Sequence, residues 1–309
     1  MMDLDVTAIL AEYDLHATGP AVPLVGGEDN HNLRLDTGGA EVVLRGYRRS
    51  DPERIRAELR LVSFLADRGY PTPAPLRTRA GAVLVMAGSP VALFPLVPGV
   101  VPDAITTALA GRMGELLARL HLIATGWSDA RMPTIDRLGL IDQALESRPD
   151  LDGVDEWHSR MRTFLDAHGA DLARLGDLPS GPLHHDLHRH NLLVAGDAVT
   201  AVLDFDELNH GAFVLDLARA LFYLALDRDD RRLPRDLADA VVAGYERTRE
   251  LTATERRLLP VALDLVGIVD AAGVLMWAAP ELGLRRVDEC HSWVAYLRNT
   301  RSHQGAERE

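Results

Sequence analysis

The sequence of 309 residues contains no lysine, so all 33 of its arginine-plus-lysine cations are arginines. A phosphate held by a cationic side chain must therefore meet an arginine or a protonated histidine. There is a single cysteine, Cys290, which excludes an intramolecular disulfide and a zinc site made of several thiolates. We therefore expect a protein of the reducing cytoplasm.

Long apolar runs are also missing. The longest candidate, residues 263–279, is interrupted by Asp264 and Asp270, which argues against a membrane span. The N-terminal segment is acidic and amphipathic, and it lacks the basic leader and apolar core of a signal peptide. We therefore expect no membrane partner.

Positive charge is in deficit, since the formal net charge is −13. Phosphate backbones are bound through basic surface, so nucleic acid is excluded as an expected partner. The charge suits a cationic or zwitterionic small molecule better. With 47% hydrophobic residues the chain can build one large domain or two modest ones, and both a monomer and a homodimer stay open.

The most informative stretch is residues 183–206, LHHDLHRHNLLVAGDAVTAVLDFD. Two short apolar runs, 192–195 and 198–203, flank the turn Gly196-Asp197, which predicts a β-hairpin. Residues at equal distance from a hairpin turn face each other, so we expect Asn191 to lie beside Asp204. Asp186 precedes the same end of the hairpin.

These three side chains suggest a magnesium site, because Mg²⁺ prefers oxygen ligands and often takes one or two carboxylates. A plainer interpretation of each residue alone is that Asp and Asn form turns beside an ordinary hairpin. The convergence of Asp186, Asn191 and Asp204 favours the site.

Upstream, residues 21–25, 32–36 and 41–47 are predicted strands, and the Gly-rich segment 26–32 is a predicted loop. A helix is predicted for 52–67, and its apolar arc includes Glu58 at 100° per residue. A carboxylate on a buried stripe needs a partner, and Arg45 at the end of the preceding strand is the expected one.

Two more strands, 82–86 and 91–96, end at Val97-Pro98-Gly99, which we interpret as the boundary between lobes 1–98 and 99–309. The second lobe is predicted to be mostly helical. After the hairpin, amphipathic segments cover about 213–227, 233–249, 253–277 and 281–298.

The motif His184-His185-Asp186 with Asn191 resembles the H-x-D-x-x-x-x-N loop of the aminoglycoside phosphotransferase and choline kinase families. Asp204-Phe205-Asp206 and Asp216-Leu217-Ala218 are similar to later segments of those families. Gly27-x-x-Asn30-x-Asn32 resembles the phosphate loop of their homoserine kinase-like branch. Leu178-Pro179-x-Gly181 precedes the catalytic loop as it does in that branch, and the later residues Gly244-Tyr245, Arg249, Leu251 and Glu255 are also similar to it.

This resemblance implies the protein kinase-like, two-lobed α+β fold, with a small antiparallel N-terminal lobe that binds nucleotide and a larger helical lobe. Asp186 would be the catalytic residue, and Asn191 and Asp204 would hold Mg²⁺. ATP, or GTP in its place, would be held by Gly27, Asn30, Asn32, Arg45, Glu58, Phe94 and Leu96.

The expected function is transfer of the γ-phosphate to a hydroxyl of an amino alcohol or a cationic antibiotic, with Asp206 and Glu207 facing the acceptor. A homoserine-type amino acid kinase is the alternative, with Arg219 or an arginine near Arg285 for the carboxylate. Two other classes stay open: a histidine-based metallohydrolase and an inactive kinase fold that only binds. The sequence departs from the family at His185, where glycine is common, and the lysine or arginine that the family carries on its third strand can only be Arg45 here.

Overall fold

The computed structural model describes residues 4–24, 30–48 and 51–306. The chain forms two compact units. The first comprises Met1–Ala104, Ser128–Pro133 and Arg189–Leu208, and the second comprises Ile105–Trp127, Thr134–His188 and Asn209–Glu309. The lobe boundary predicted at residue 98 stays a prediction.

The first unit contains a five-stranded antiparallel sheet in the order β1-β2-β3-β5-β4. The tight turn between β2 and β3 uses Gly38 at φ +77°, and Thr37 N donates to Ala40 O at 3.0 Å. The strands are β1 (Val22–Pro23), β2 (Asn30–Asp36), β3 (Glu41–Tyr47), β4 (Val85–Ala87) and β5 (Ser89–Pro95), and the short helix α1 (Val6–Glu12) packs on this sheet.

The main helix of this unit is α2 (Pro52–Ala66). Asp51 caps it, since its carboxylate accepts from the N–H groups of Glu53 and Arg54. Its buried face carries Glu58, which is only 7% exposed, among apolar side chains. The predicted helical phase of Glu58 is therefore confirmed.

The hairpin predicted downstream is also present in the first unit. Its strands are β7 (Leu192–Ala195) and β8 (Ala198–Val202), with Ala195 opposite Ala198 and Leu192 opposite Val202. Gly196 adopts φ +58° in the turn, a conformation that glycine reaches without strain. A register shift at Leu193/Val194 adds a bulge, which increases the local twist.

The second unit is mostly helical, so the predicted α+β class is confirmed. Its two short strands, β6 (Ser180–Leu183) and β9 (Asn209–Ala212), pair with each other. The helices are α3 (Thr107–Ile123), α4 (Arg137–Glu146), α5 (Val154–Arg174), α6 (Phe213–Leu226), α7 (Arg235–Glu246), α8 (Ala253–Gly273), α9 (Ala279–Leu282) and α10 (His291–Ala306).

Helices α3 and α7 meet through glycines. A Cβ on Gly114 would lie 1.9 Å from Val241 O, and a Cβ on Gly244 would lie 1.9 Å from Gly111 O. Only residues without a side chain permit this close approach of the two backbones.

The predicted helix 281–298 differs from the structure. Helix α9 ends at Leu282 because Gly283 takes the left-handed conformation at φ +68°, and α10 begins only at His291. The β6/β9 pair was not predicted, because four-residue strands that contain Gly and Pro carry little strand pattern.

Helix α8 continues through a π-helical segment, Val274–Ala278, into α9. The sequence led us to expect no membrane span here, because Asp264 and Asp270 interrupt the apolar run. By length and composition, the continuous helical stretch Ala253–Leu282 could cross a membrane. However, 61% of its most apolar window is buried inside the protein. It packs against α4, α5, α6 and α10, as a core helix does.

Candidate active site

In the second unit, Asp216 holds the backbone of the loop that carries Asp186. Its two carboxylate oxygens accept from His184 N at 2.9 Å and His185 N at 2.7 Å. His121 Nε2 lies 2.9 Å from Asp216 Oδ2. Burial alone would raise the pKa of Asp216, but the hydrogen bond and charge of His121 lower it. A buried, ionised carboxylate therefore fixes this loop.

His185 has a backbone conformation that explains why glycine is common at this position. Its φ is +61°, in the left-handed region that favours glycine. Its side chain is half-buried, and Nε2 lies 3.0 Å from Arg137 Nη2. Because arginine can only donate, Nε2 is the acceptor, and the neutral ring carries its proton on Nδ1. Burial, with the charges of Arg219 and Arg137, lowers the pKa of His185 to about 3.

Asp186 follows directly and is held by two side chains. Tyr223 Oη donates to Oδ1, and His188 Nε2 lies 3.3 Å from Oδ2. Burial acts to raise the pKa of Asp186, but the hydrogen bond and charge of His188 and the hydrogen bond from Tyr223 lower it to about 2. Asp186 is therefore an ionised acceptor at neutral pH.

Behind Tyr223 lies a chain of polar side chains. Arg219 Nη2 donates to Tyr223 Oη at 2.9 Å, Arg219 Nη1 pairs with Asp270 Oδ1, and Ser292 Oγ donates to Asp270 Oδ2. Burial acts to lower the pKa of Arg219, but the charge of Asp270 raises it overall. We did not predict Tyr223 or Asp270 as site residues.

Both had signals in the sequence. Asp216, Arg219 and Tyr223 are spaced i, i+3 and i+7, which places them on one face of α6. Asp270, like Asp264, is an acidic residue in the apolar part of α8, and such a residue needs a partner.

In the first unit, the open end of the hairpin brings Asn191 and Asp204 close together. Leu203 N donates to Asn191 O at 2.8 Å, and Asp204 is the next residue. Asp204 has φ +62°, in the left-handed region, which aspartate enters more readily than most residues. It lies two residues after the end of β8 and is partly exposed.

Arg45, on β3, pairs with both carboxylates that follow the hairpin. Its Nη2 lies 2.8 Å from Asp204 Oδ1 and 3.0 Å from Asp206 Oδ1. Burial acts to lower the pKa of Arg45, but the charges of Asp206 and Asp204 raise it overall. Arg45 is thus a permanent cation beside two anions.

The expected ion pair between Arg45 and Glu58 is not what the structure shows. The ion pairs of Arg45 are those with Asp204 and Asp206, and Glu58 Oε1 accepts from Tyr47 Oη at 3.4 Å. Two adjacent carboxylates attract the guanidinium more strongly than one does, so it turns toward them. Glu58 remains close enough to contribute to the raised pKa of Arg45.

The phosphate-loop residues are only partly described. Gly27 lies outside the described residues. Asn30 is buried at the start of β2, and its Nδ2 donates to Asp206 Oδ2 at 2.5 Å. Asn32 is half-buried in β2, opposite Arg45 on β3.

The remaining predicted residues lie at the end of β5 and beyond the hairpin. Phe94 is half-buried opposite Val43, and Leu96 N donates to Glu41 O at 3.0 Å. Asp206, predicted to face the acceptor, is buried against Asn30 and Arg45, whereas Glu207 is half-buried. These surroundings place Asp206 among the residues predicted to hold nucleotide and metal.

A sequence comparison decides the family. The model of the phosphotransferase enzyme family matches residues 20–252, well over half of the chain. The chain belongs to the phosphotransferase enzyme family. A homoserine kinase of Caulobacter sp. (strain K31) is similar at 32% identity over 267 residues, which is 84% of this chain and 81% of that protein.

Solved structures show that this phosphotransferase has the kinase-like fold. A microcompartment-associated aminopropanol kinase matches with a TM-score of 0.75 at 23% identity, over 94% of this chain and 93% of that one. An aminoglycoside phosphotransferase from Alicyclobacillus acidocaldarius matches with a TM-score of 0.65 at 17% identity, over 100% and 98%. The chain is thus a small-molecule phosphotransferase with a hydroxyl group as acceptor.

The donor set near the hairpin of this phosphotransferase fits magnesium. Asp204 and Asn191 offer hard oxygen ligands. The carboxylate of Asp206 lies near that of Asp204, since Arg45 Nη2 contacts one oxygen of each. Among residues 4–24, 30–48 and 51–306, no group of three or more His, Cys, Asp or Glu is arranged to hold a metal ion. An oxygen donor set as small as Asp204 and Asn191 suits an ion that keeps water and substrate oxygens in its shell.

Proposed function

We propose that this enzyme is a Mg²⁺- and ATP-dependent kinase that phosphorylates the hydroxyl of a small, amine-bearing acceptor. One observation carries the proposal. Asp186 is an ionised carboxylate, with a pKa lowered to about 2, on a loop whose backbone is fixed by the buried Asp216. Five residues later the same loop supplies Asn191, whose backbone is bonded to the residue before Asp204.

In this proposal Asp186 accepts a hydrogen bond from the acceptor hydroxyl and orients its oxygen toward the γ-phosphorus. The new O–P bond forms while the bond from phosphorus to the ADP oxygen breaks, and the hydroxyl proton passes to Asp186 late in the transfer. A weak base is sufficient, because the bond to the acceptor oxygen is little formed in a loose transition state and the hydroxyl proton need not leave early. Tyr223 and His188 keep the carboxylate in one orientation.

Asn191 and Asp204 would hold Mg²⁺, with Asp206 beside them. The bound ion neutralises charge that develops on the transferred phosphoryl group. Arg45 would bind phosphate oxygens of the nucleotide, and Asn30 and Asn32 would assist it together with Gly27. Phe94 and Leu96 would contact the base, with GTP as the alternative to ATP.

The acceptor that we propose is a compact hydroxylated amine. The acidic net charge of −13 suits an amino alcohol or a cationic antibiotic. A hydroxy amino acid is the second candidate, because several relatives of 29–32% identity are homoserine kinases. The acidic run 227–230, which would add negative charge for an amine-bearing acceptor, is solvent-exposed.

The histidines of the loop offer no shared metal site that would favour the metallohydrolase alternative. His184 Nδ1 accepts from Asp186 N at 3.2 Å, and His185 Nε2 accepts from Arg137. His188 Nε2 faces Asp186. His184 and His188 both contact Asp186, through its N–H and its carboxylate respectively, whereas His185 faces Arg137. The cytoplasm, where ATP is abundant, is the compartment that we propose.

The test is ADP release from Mg-ATP over a panel of amino alcohols, hydroxy amino acids, sugars and aminoglycosides. We expect turnover with at least one hydroxylated amine, and at least a 1,000-fold lower kcat in Asp186→Asn with retained nucleotide binding. Asp166→Asn, at an exposed position in the same unit, is the matched control and should keep full turnover. Full activity of Asp186→Asn would contradict the proposal.

A further inference from the structure

Arg137 is a buried cation that the proposed mechanism does not use. It is the first residue of α4 and is only 8% exposed. It lies on the buried face of the helix with Ile141 and Ala144, at spacings of four and seven residues. A charged side chain on such a face requires compensation.

Among the described residues, the hydrogen-bond partners of the Arg137 guanidinium are all neutral. Nη2 contacts His185 Nε2 at 3.0 Å and Asn209 Oδ1 at 3.4 Å, and Nη1 contacts Ile135 O at 3.5 Å. Within the part of the chain that the structure describes, Arg137 forms no ion pair with a carboxylate. Burial, opposed by the charge of Asp216 and assisted by that of Arg219, lowers the pKa of Arg137 to about 10.

The nearby carboxylates are already engaged. Asp216 accepts from two loop N–H groups and faces His121, and Asp270 pairs with Arg219. Arg219 also donates to Tyr223. Of the two arginines near His185, Arg219 is therefore neutralised by direct contact and Arg137 is not.

Arg137 also lies beside the loop that carries Asp186. It bonds to the side chain of His185, the residue before Asp186. A guanidinium has five N–H donors, and the contacts above use three. His185 and Asn209 are neutral, so their contacts hold one edge of the guanidinium without cancelling its positive charge. That charge stays available for an anion.

We propose that Arg137 binds the carboxylate of a hydroxy amino acid acceptor and so makes the enzyme prefer it over the amino alcohol of the same skeleton. This inference rests on the proposed function, since it presupposes an acceptor held at Asp186. It assigns the carboxylate to Arg137 instead of Arg219, which is paired, or Arg285, which is exposed.

Two pairs of acceptors test this directly. Homoserine differs from 3-aminopropan-1-ol only by its carboxylate, and threonine differs from 1-aminopropan-2-ol in the same way. The kcat/KM of each compound is measured for the wild type, Arg137→Gln and Arg137→Lys. Arg235→Gln, at a strongly exposed arginine of the same unit, is the matched control.

For the wild type we expect the amino acid to be preferred in at least one pair by about 10- to 100-fold, the effect of a hydrogen bond to a charged group. Arg137→Gln should remove this preference by raising KM for the amino acid, and Arg137→Lys should restore part of it. The KM of the amino alcohol should stay within about threefold. The ratio within a pair does not depend on how much of a variant folds.

Two results overturn the inference: a wild type that prefers the amino alcohol of both pairs, or an Arg137→Gln variant that keeps the wild-type ratio. If no acceptor is phosphorylated, the proposed function fails, and titration calorimetry of homoserine and threonine decides the inference separately. Binding that is lost in Arg137→Gln and kept in Arg235→Gln supports it. Absence of binding to the wild type overturns it.

Discussion

Tyr223 Oη donates a hydrogen bond to Asp186 Oδ1, and Arg219 in turn donates to that same phenol oxygen. The carboxylate of Asp186 is thus supported from α6, by residues three and seven positions after Asp216. This helix contacts the loop twice, since Asp216 accepts from its backbone and Tyr223 donates to the Asp186 side chain.

Tyr223→Phe removes the hydroxyl that helps to lower the pKa of Asp186. A hydrogen bond to a charged group contributes about 1.5–3 kcal/mol, so the pKa of Asp186 should rise by roughly 1–2 units. Activity requires the ionised form, and a higher pKa moves the acidic fall of kcat to higher pH. A pH profile should show that the variant has lost about half its activity near pH 4, whereas the wild type retains its activity at that pH. Tyr13→Phe, in the first unit, should behave as the wild type, and an unchanged profile for Tyr223→Phe would contradict the prediction.

Asp216→Asn should destabilise the protein in a pH-dependent way. The pKa of Asp216 is lowered from 3.8, despite complete burial, by the hydrogen bond and charge of His121. A carboxylate with a lowered pKa stabilises the fold above its unfolded pKa, and this stabilisation is lost as the pH falls through the folded pKa. At pH 7 we expect a loss of about 2–4 kcal/mol in urea unfolding, shrinking below about pH 4. Asp229→Asn, at an exposed position, should show no such difference, and a loss that does not change with pH would count against this account.

Gly244→Ala tests the close approach of α3 and α7. The added Cβ would meet Gly111 O at 1.9 Å, so the two backbones must separate. Overpacking of this kind costs about 1–3 kcal/mol and sometimes more, and we expect a fall in Tm of several degrees. Gly169→Ala in α5 has nothing within 4 Å of its new Cβ and should instead stabilise by roughly 0.5–1 kcal/mol. Equal effects of the two substitutions in a thermal melt would refute the argument.

Arg45→Gln leaves Asp204 and Asp206 without the cation that contacts both. If Arg45 also binds phosphate, the KM for ATP should rise by about 10- to 100-fold in Arg45→Gln. In Arg45→Lys the KM should rise less, because lysine keeps the positive charge but lacks the planar guanidinium. The matched control is Arg34→Gln, which breaks the exposed pair with Glu41 on the same sheet. Steady-state kinetics at varied ATP would show KM unchanged in Arg34→Gln, whereas an unchanged KM in Arg45→Gln would exclude the phosphate role.

Local pattern was sufficient for the hairpin and for the phase of α2. Gly196 specifies the turn, and helical period places Glu58 on a buried face. The local pattern could not predict that Arg45 pairs with residues other than Glu58. Its guanidinium pairs with carboxylates that the folded chain brings close, and two of them, Asp204 and Asp206, follow β8. Arg137 carried a similar signal in the sequence, which we did not use. It is a charged residue four and seven positions before Ile141 and Ala144, on the same buried face of α4.

The sequence by itself determined the family, through short motifs that are each recognisable without the fold. It also determined the hairpin and the order of Asp186, Asn191 and Asp204, since these residues lie within about twenty positions of each other. Only the tertiary structure decided that Tyr223 and His188 set the ionisation of Asp186, that Asp216 fixes its loop, and that Arg137 is buried without a carboxylate partner among the described residues. The physical reason is that ionisation and charge compensation depend on distance and burial. Both are set by side chains that come from distant parts of the chain.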